Sequence, residues 1–353
     1  MKVVHIVNHF SNKGGGVERV IYGMCGRASR ISNFEFVVLS YGKKKETKIV
    51  EGLCVKKLKG FIIFRMSVLP SLLVDLIREK PDVIHVHVPY PYGLIVSLIA
   101  KTLLRKPIVV TYYTDPPVGL AISKIYGILE PILLRFTNVV LATSDAYKNN
   151  SVILRKLKNV DVLKLGINTE NYFPVELPEE NIILTVGRKT FYKNTDMLIQ
   201  AMAYINEEFP DTKLLITGNG HFEKTANNIT FLGYVSEDEL LSLYHRCKFF
   251  VLPSTTNDEG FGLVLLESMA CGKPAIVFDL WGPSTAIGDC GIVVKEKTIE
   301  ALAKAMAKFM RDEELRKTLG QRARERVLKY FSLRTYDKIT DVYRRITLSA
   351  EYE

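Results

Sequence analysis

The chain has 353 residues, of which 47% are hydrophobic and 24% are charged, and its formal net charge is +10. This length predicts two domains, and the composition is that of a globular protein with a sizeable core. The five scattered cysteines contain no CxxC pair, which argues against a disulfide framework or a zinc site and favours reduced thiols in a cytoplasmic protein.

Neither a membrane span nor a secretion signal is expected from the apolar runs. No run approaches the roughly 20 residues that a bilayer-spanning helix needs. The N-terminus, MKVVHIVNHF, enters a strand-like pattern directly and lacks the long apolar stretch of a signal peptide.

The positive charge belongs entirely to the N-terminal half. Residues 1–180 contain 25 Lys and Arg against 15 Asp and Glu, whereas residues 181–353 contain 23 of each. Two clusters stand out, Gly42–Lys48 and Val55–Lys59. They predict either a solvated surface or attraction to an anionic partner such as a membrane face or a lipid phosphate. Nucleic acid ranks last, because no nucleic-acid motif or interleaved aromatic residue accompanies the charges.

Short apolar runs alternate with helical patterns along the chain. In the first half the runs are VVHIVNHF, FEFVVLSY, DVIHVHVP, PIVVTYYT, NVVLATS and VDVLKLGI, and in the second half they are NIILTVGR, TKLLITGNG, ITFLGYV, FFVLPST and PAIVFD. Near-continuous Val, Ile and Leu strands separated by helices predict parallel sheets covered on both faces. The two series therefore predict two doubly wound α/β domains. Later, TIEALAKAMAKFM predicts an amphipathic core helix and YFSLRTYDKITDVYRRI a final helix.

The domain junction is predicted within Gly166–Asn181. This stretch is polar, contains Pro174 and Pro178, and shows no hydrophobic period. We therefore expect a first domain over residues 1–176 and a second over residues 177–331. In open α/β sheets ligands bind at the carboxyl ends of the strands, so the loops after the strands are the candidate sites.

The loop after the first strand contains Gly14, Gly15 and Gly16 before a helix. Glycines there allow positive φ and close approach of the backbone to a ligand. The pattern is not GxGxxG, and the second predicted strand ends without an acidic residue. A nicotinamide-binding first domain is therefore disfavoured.

The loop VGRKTFYKN places Arg188 and Lys193 between a strand and a helix that begins near Asn194. Two cations converging from one loop suit a diphosphate, although two solvated cations would give the same pattern. The loop TGNGH places Gly218 after the next strand, either as a tight turn or as part of the ligand edge.

The loop EGFGLVLLE places Glu259 before a glycine-rich helix entry and Glu267 about two turns inside the helix. Backbone amides at such an entry bind anions, so a phosphate is expected there, with Glu259 near the attached group and Glu267 near a ribose hydroxyl. The alternative, two surface glutamates around a capped helix, is disfavoured because Glu267 lies among apolar residues. The amides in question belong to Gly260, Phe261, Gly262 and Leu263.

These motifs, in this order, resemble the retaining glycosyltransferases of family 4 over nearly the whole chain. The resemblance rests on the two glutamates, the Arg188 and Lys193 loop, Gly15-Gly16-Val17-Glu18, the stretch GINTENYFP and the segment GYVSEDEL. It implies the GT-B fold, in which two doubly wound Rossmann-like domains face each other across a cleft. It also implies that a C-terminal helix, at about residues 332–353, packs back on the first domain.

The resemblance also implies roles for individual residues. The second domain is expected to hold a UDP- or GDP-linked hexose, and the first to present a glycan or lipid-linked acceptor. Neither cofactor nor metal is expected, because cationic side chains replace the metal and the sequence shows no DxD pair or His/carboxylate cluster. The expected catalytic residues are Arg188, Lys193 and Glu259. The expected donor-binding residues are Gly15, Gly16, Arg188, Lys193, Gly218, Val235, Glu259, Gly260, Phe261, Gly262, Leu263 and Glu267.

One position departs from the family pattern. Many relatives carry Thr-x-His after the strand PIVVT, whereas this chain has Tyr113 in the His position. Tyrosine can donate a hydrogen bond but is a poor base at neutral pH. The family His is therefore only a positioning group, or the acceptor chemistry is altered, or activity is lost. Tyr113, Glu18 and His87 are the expected acceptor-side residues, and His85 is expected to be packed or hydrogen-bonded.

We therefore expect a cytoplasmic, metal-independent hexosyltransferase that acts with retention and is peripheral to the inner membrane face through its basic N-terminal half. Two alternatives stay open. One is a GT-B sugar-nucleotide epimerase or hydrolase, which would turn over donor without an acceptor. The other is a non-catalytic nucleotide-sugar-binding partner, suggested by Tyr113.

Overall fold

The protein is described by a computed structural model that covers residues 1–11, 15–63, 66–116, 121–176, 178–220 and 228–350. The chain divides into two compact units. The first contains Met1–Gly166 and the C-terminal segment from Leu333, and the second contains Ile167–Ser332.

The first unit is built on a largely parallel sheet, as the apolar runs predicted. Among the described residues, eight strands have the order β10-β9-β8-β7-β1-β2-β4-β3, and only the β3–β4 pair is antiparallel. A separate antiparallel hairpin consists of β5 and β6. The strands are β1 Lys2–Ile6, β2 Glu35–Gly42, β3 Glu46–Val50, β4 Leu53–Lys59, β5 Phe61–Ile63, β6 Met66–Val68, β7 Val83–Val88, β8 Ile108–Tyr112, β9 Val139–Ala142 and β10 Val160–Val162.

Helices follow most of these strands in the doubly wound manner. The central strands β7, β8 and β9 are buried along their whole length, as expected for a sheet covered on both faces. The helices are α1 Gly16–Ile31, α2 Leu72–Glu79, α3 Pro91–Leu104, α4 Ala121–Arg135 and α5 Asp145–Asn150.

In the part of the second unit that the structure describes, six parallel strands form a sheet in the order β13-β12-β11-β14-β15-β16. Its core includes Leu302, Met306 and Phe309 from the predicted amphipathic helix, so the prediction of a packing role is confirmed. The strands are β11 Ile182–Val186, β12 Lys213–Thr217, β13 Ile229–Gly233, β14 Phe249–Leu252, β15 Ala275–Phe278 and β16 Ile292–Val294. The helices are α6 Thr195–Glu208, α7 Glu237–Arg246, α8 Leu263–Ala270, α9 Trp281–Ile287, α10 Ile299–Arg311 and α11 Glu313–Tyr330.

The last helix, α12 Asp337–Ala350, belongs to the first unit. It contacts α1, and the Arg27 guanidinium donates to both Asp337 oxygens, at 2.6 and 2.9 Å. Tyr343 of α12 is fully buried in this unit.

The two units meet in sequence at Gly166 and Ile167, ten residues before the expected position after residue 176. The intervening stretch is held by the second unit. The Ile167 amide donates to the Phe331 carbonyl at 2.8 Å, the Arg324 guanidinium donates to the Tyr172 carbonyl, and His245 Nε2 lies 2.8 Å from the Phe173 carbonyl. Main-chain groups of this stretch are therefore anchored to the second unit.

Candidate active site

The strand order of the second unit reverses between β11 and β14, which are neighbours in the sheet but not in the sequence. Crevices that bind ligands form at such switch points, at the carboxyl ends of the strands. The loop after β11 contains Arg188 and Lys193, and the loop after β14 contains Glu259. The topology therefore places the three expected catalytic residues in adjacent loops.

Two of these three residues are in direct contact. Lys193 Nζ lies 2.5 Å from Glu259 Oε2, and the Ser254 hydroxyl donates to the same oxygen at 2.7 Å. The side chains of Lys193 and Glu259 are only 13% and 8% exposed. The short 3₁₀ turn Phe191–Lys193, which precedes α6, positions the lysine. This largely buried ion pair places a cation and an anion side by side at the carboxyl edge of the second unit's sheet.

The third expected catalytic residue, Arg188, has an exposed side chain. Within the described ranges it takes part in no ion pair, whereas Lys193 is already paired. Gly187, directly before it, lies under the Lys193 side chain, because a Cβ at Gly187 would be 3.1 Å from Lys193 Cε. Arg188 is therefore a second cation beside the Lys193–Glu259 pair and is accessible to solvent.

The sequence left open whether Gly218 forms a tight turn or part of the ligand edge. In the structure, close approach of another backbone segment requires a glycine at this position. Its φ is +133°, and a Cβ there would lie 2.1 Å from the Gly187 carbonyl oxygen. Its amide donates to the Gly233 carbonyl at 2.7 Å. Gly218 thus joins the loop after β11 to the end of β13, and Val235 follows two residues after β13 on the same edge.

The glycine-rich entry precedes a helix that begins later than the spacing implied. α8 starts at Leu263, with Gly262 as N-cap at φ +80°. Glu259 is therefore in the loop, and Glu267 is the fifth helical residue, just over one turn inside instead of two. The Leu265 amide already donates to the Gly262 carbonyl at 2.9 Å, and anion binding by the amides ahead of it stays a prediction. Gly260 and Phe261 pack against the start of α9, since a Cβ at Gly282 would lie 2.1 Å from the Gly260 carbonyl oxygen.

Glu267 is nearly fully buried, at 1% exposure. The hydroxyl of Tyr244, on α7, donates to Glu267 Oε2 at 3.0 Å. The carboxylate is thus satisfied inside the unit, which explains how it is tolerated among apolar neighbours. The bond to a ribose hydroxyl stays a prediction. Tyr244 was missed by the sequence analysis, because an aromatic residue on an amphipathic helix looks like core.

In the first unit, the loop after β1 leads into α1. Gly15 is the N-cap of α1 and Gly16 is its first residue. The Glu18 carboxylate folds back over Gly15, where a Cβ would lie 2.4 Å from Glu18 Oε2, and it accepts a hydrogen bond from the Ser11 amide at 3.3 Å. Gly14 lies outside the described residues.

Tyr113 and His87, two expected acceptor-side residues, are in contact. The Tyr113 hydroxyl and His87 Nδ1 lie 2.9 Å apart at the ends of β8 and β7. Burial, and then the nearby Tyr336 and Glu18, hold the pKa of the Tyr113 phenol well above its ordinary value. Tyr113 therefore stays protonated and can donate or accept a hydrogen bond, but it cannot act as a base at neutral pH.

His87 belongs to a buried histidine cluster that the sequence analysis missed. His5 Nδ1 lies 2.8 Å from His87 Nε2, and Cys25 Sγ lies 3.4 Å from His5 Nε2. The expected hydrogen-bonded state of His85 is found, with Tyr343 and Thr111 at 2.6 and 2.8 Å. Pairing of β1 with β7 brings His5 beside His85, which no local sequence pattern reveals.

The three histidines are close enough to bind a metal ion, since their ligand atoms lie within 4.8 Å of one another. Their arrangement favours a hydrogen-bonded network instead. All six ring nitrogens have a hydrogen-bond partner. Each nitrogen therefore already donates or accepts a hydrogen bond, whereas a metal ligand must offer its lone pair to the ion.

Comparison with known proteins gives matches to two family models. Residues 168–326 match the family described as glycosyl transferases group 1, and residues 14–171 match Glycosyltransferase Family 4. The O-antigen chain mannosyltransferase C of Escherichia coli is 25% identical over 373 residues, which cover 97% of this chain and 97% of that protein.

Solved structures share the fold. Sucrose-phosphate synthase from Thermosynechococcus elongatus matches with a TM-score of 0.81 at 20% identity and covers 99% of both chains. Anabaena HepE, in complex with UDP-glucose, matches with a TM-score of 0.78 at 17% identity and covers 100% of both chains. At these identities the likeness shows the fold, and the expected GT-B fold with two Rossmann-like domains is confirmed.

Proposed function

Since the chain belongs to the group 1 glycosyltransferases and has the GT-B fold, we propose that it moves a hexose from a UDP- or GDP-linked donor, with retention, to a hydroxyl of a glycan or lipid-linked acceptor. The Lys193–Glu259 pair at the switch point of the second unit carries this proposal. It offers opposite charges where a nucleotide sugar presents both a diphosphate and sugar hydroxyls.

In the proposed reaction Arg188 and Lys193 bind the leaving diphosphate. The bond between the anomeric carbon and the phosphate oxygen breaks, and the diphosphate gains negative charge that the two cations stabilise. The backbone amides of Gly260, Phe261, Gly262 and Leu263, at the entry to α8, hold the phosphates. No metal is required in this proposal, because the cationic side chains take that role.

The two acidic residues are assigned to hydroxyl groups of the donor. Glu259 already lies at the diphosphate end of the site and is proposed to bind the sugar. Glu267, oriented by Tyr244, is proposed to accept a hydrogen bond from the ribose. Gly218 and Val235, on the edge formed by β12 and β13, are proposed to border the nucleotide.

The acceptor side is assigned to the first unit. Gly15 and Gly16 are proposed to bind the donor, while Tyr113, Glu18 and His87 orient the acceptor hydroxyl. For retention the acceptor attacks from the face that the diphosphate leaves, and a phosphate oxygen takes the acceptor proton. This route needs no protein base, which agrees with a Tyr113 that stays protonated.

The proposed place of action is the cytoplasmic face of a membrane, where the basic N-terminal half meets anionic lipid. Within the described residues, no helix has the length and apolar character needed to cross a bilayer. Three lysines of the basic clusters are already in ion pairs: Lys45 with Asp75 at 2.8 Å, Lys48 with Glu46 at 2.9 Å and Lys56 with Glu79 at 2.5 Å. Local pairing thus reduces the charge that these clusters offer to a membrane.

The test is release of nucleoside diphosphate from UDP-, GDP- and ADP-hexoses, with and without a membrane-lipid extract. We expect one donor to be consumed, with stimulation by lipid and loss of roughly 10²–10³ in rate for Arg188→Ala. Lys189→Ala is the matched control, because Lys189 is the neighbouring cation of the same loop and lies 4.0 Å from Asp196. The anomeric configuration of the product, read by NMR, decides retention.

Other outcomes identify the alternatives. Release that needs no acceptor would indicate a hydrolase, and conversion of the donor to another nucleotide sugar without net release would indicate an epimerase. Donor binding without release under any condition would indicate a non-catalytic binding partner. The absence of both donor binding and release would contradict the proposed donor site itself.

A further inference from the structure

Helices α3 and α4 lie side by side on one face of the first unit. α3 connects β7 to β8 and α4 connects β8 to β9, and these strands are successive parallel neighbours. Right-handed crossovers in the same direction place both helices on the same face of the sheet. The helices contact each other, and the Lys101 ammonium of α3 donates to the Phe136 carbonyl, directly after α4, at 2.9 Å.

The outer side of α3 is apolar. Ile95, Ile99 and Leu103 are 45%, 46% and 61% exposed. Their spacing of four residues aligns them in one stripe along the helix. The surface side of a helix that only covers a sheet is normally polar, so this stripe is an unusual feature.

The outer side of α4 continues the pattern. Ile128, Ile132 and Phe136 are 67%, 46% and 64% exposed and are again four residues apart, and Leu129 beside them is 47% exposed. Single exposed apolar side chains are normal, but two adjacent stripes form a contiguous patch, and such patches mark interaction sites.

The hairpin β5–β6 also has exposed apolar side chains. Phe61, Ile62 and Ile63 of β5 are 50%, 51% and 42% exposed. β6 contacts α3, the helix that carries the first stripe.

The charges around the patch are positive. Residues 91–160 contain nine Lys and Arg against three Asp and Glu, and one of the three, Glu130, is fully buried. The exposed cations form no ion pair within the described ranges. They are Arg105, Arg135, Arg155, Lys156 and Lys158.

The combination of exposed aliphatic side chains with unpaired cations fits an anionic lipid surface. Apolar side chains of an interfacial helix enter the boundary between headgroups and acyl chains, and cations bind the lipid phosphates. A second copy of the chain fits less well, because in a two-fold dimer the same positive rim would meet itself.

We propose that the apolar–basic face, defined as Ile95, Ile99, Leu103, Ile128, Ile132 and Phe136 with the five exposed cations around them, docks on an anionic bilayer. This inference deepens the proposed function by naming its lipid surface, and it rests on that function only for the lipid-linked acceptor. It assigns membrane contact to α3 and α4 and not to the clusters Gly42–Lys48 and Val55–Lys59. Those clusters lie on β2, β3 and β4, toward the opposite edge of the sheet.

The test is sedimentation of the full chain with vesicles of phosphatidylcholine alone or mixed with phosphatidylglycerol. An apolar variant carries Leu103→Ser, Ile128→Ser and Phe136→Ser, and a charge variant carries Arg135→Gln, Arg155→Gln and Lys156→Gln. The apolar control is Ile49→Ser, which changes a side chain that is 70% exposed on β3. The charge control is Lys43→Gln, Lys44→Gln and Lys57→Gln.

We expect the wild type to bind mixed vesicles and both face variants to lose affinity by about tenfold or more, whereas both controls bind as the wild type does. Donor turnover with a short water-soluble acceptor should persist in all variants, so a failed membrane test is distinguishable from a failed transferase assignment. Unchanged binding by the face variants, or equal loss in the controls, would overturn the proposal. So would a wild-type dimer in light scattering that the apolar variant converts to a monomer without any vesicle binding.

Discussion

The ammonium of Lys193 lies 2.5 Å from a carboxylate oxygen of Glu259, although the two residues are far apart in the sequence. They follow β11 and β14, which are adjacent strands at the point where the sheet order reverses. Parallel pairing of these strands brings a cation and an anion together at the carboxyl edge of the second unit. The pair therefore links the topology of the unit to its proposed chemistry.

Removing one member of this pair should cost more stability than removing both. Lys193→Met leaves the Glu259 carboxylate buried with Ser254 as its hydrogen-bond donor, and such a change typically costs about 3 kcal/mol in the free energy of unfolding. The double variant Lys193→Met/Glu259→Gln should recover at least half of that loss, as measured by urea denaturation.

The same double variant should not recover transfer, because the proposed diphosphate contact and sugar contact are both gone. If the stability losses of the two single variants simply add, the pair is not coupled and its role as a preformed unit is wrong.

Gly218→Ala should destabilise the second unit. At φ +133° an alanine is strained, and its Cβ would meet the Gly187 carbonyl oxygen at 2.1 Å, so a loss of about 1–3 kcal/mol is expected. Gly26→Ala is the matched control, because a Cβ at Gly26 in α1 has nothing within 4 Å. That control should be neutral or more stable by up to about 1 kcal/mol. Equal effects of the two substitutions on the denaturation midpoint would contradict this account.

The histidine cluster should make the first unit sensitive to acid. Burial lowers the pKa of His5 to about 3, and burial with the neighbouring histidines lowers the pKa of His85 and of His87 well below the ordinary value. Neutral histidines in the folded state stabilise it fully above pH 6.5, and this stability is lost as the pH falls from 6.5 toward 3. Each histidine contributes a slope of about 1.4 kcal/mol per pH unit in that window.

The contribution of one histidine to the pH dependence of unfolding free energy is best measured by comparing the wild type with a variant. Glu130 contributes in the opposite sense, because burial raises its pKa to about 8 and its contribution falls as the pH rises from 4.5 through 8. His5→Gln keeps Glu130 unchanged, so the difference between variant and wild type isolates the histidine. Urea denaturation from pH 5 to 7.5 should show a shallower rise of stability with pH for the variant. Parallel curves would mean that the pKa of His5 is the same in the folded and unfolded states, which would contradict this prediction.

Tyr113→Phe should lower the transfer rate by about tenfold, since it removes the hydroxyl that pairs with His87 Nδ1 at 2.9 Å. Donor affinity should be unchanged, because the proposed diphosphate contacts lie in the second unit. Between pH 6 and 9 the profile of the variant should parallel that of the wild type, as expected for a phenol that does not titrate there. Tyr113→His introduces the histidine of the family pattern and should retain more activity than Tyr113→Phe. A changed pH profile would instead assign Tyr113 a proton-transfer role.

Much of the fold could be predicted because its signals are local. Buried parallel strands appear as uninterrupted Val and Ile runs, and α10 shows a clear helical period, so β7, β11 and α10 lie close to the expected positions. The edge hairpin β3–β4 was missed because its strands are rich in lysine and largely solvated. A signal was present in Glu51-Gly52, whose positive φ values of 50° and 77° form the turn between the strands.

The loops that carry the candidate site residues could be predicted, but the contacts between these residues could not. The spacing of Arg188 and Lys193 is visible within one loop. The spacing of Glu259 and Glu267 is visible within one loop and the helix that follows it. The Lys193–Glu259 pair, the Tyr244 partner of Glu267 and the link from His5 to His87 depend on strand order and on packing between distant elements. These contacts involve residues that look like ordinary core or surface in the sequence, so no local pattern marks them.

The most direct measurement of the central claim is calorimetric binding of UDP, GDP, UMP and GMP to the wild type, Arg188→Ala, Lys193→Ala and Lys189→Ala. The account predicts that the wild type binds one diphosphate more tightly than its monophosphate. It also predicts that Arg188→Ala and Lys193→Ala each remove most of that difference, while Lys189→Ala does not. Equal affinity for diphosphate and monophosphate, or an unchanged preference in both variants, would contradict a diphosphate site at the junction of β11 and β14.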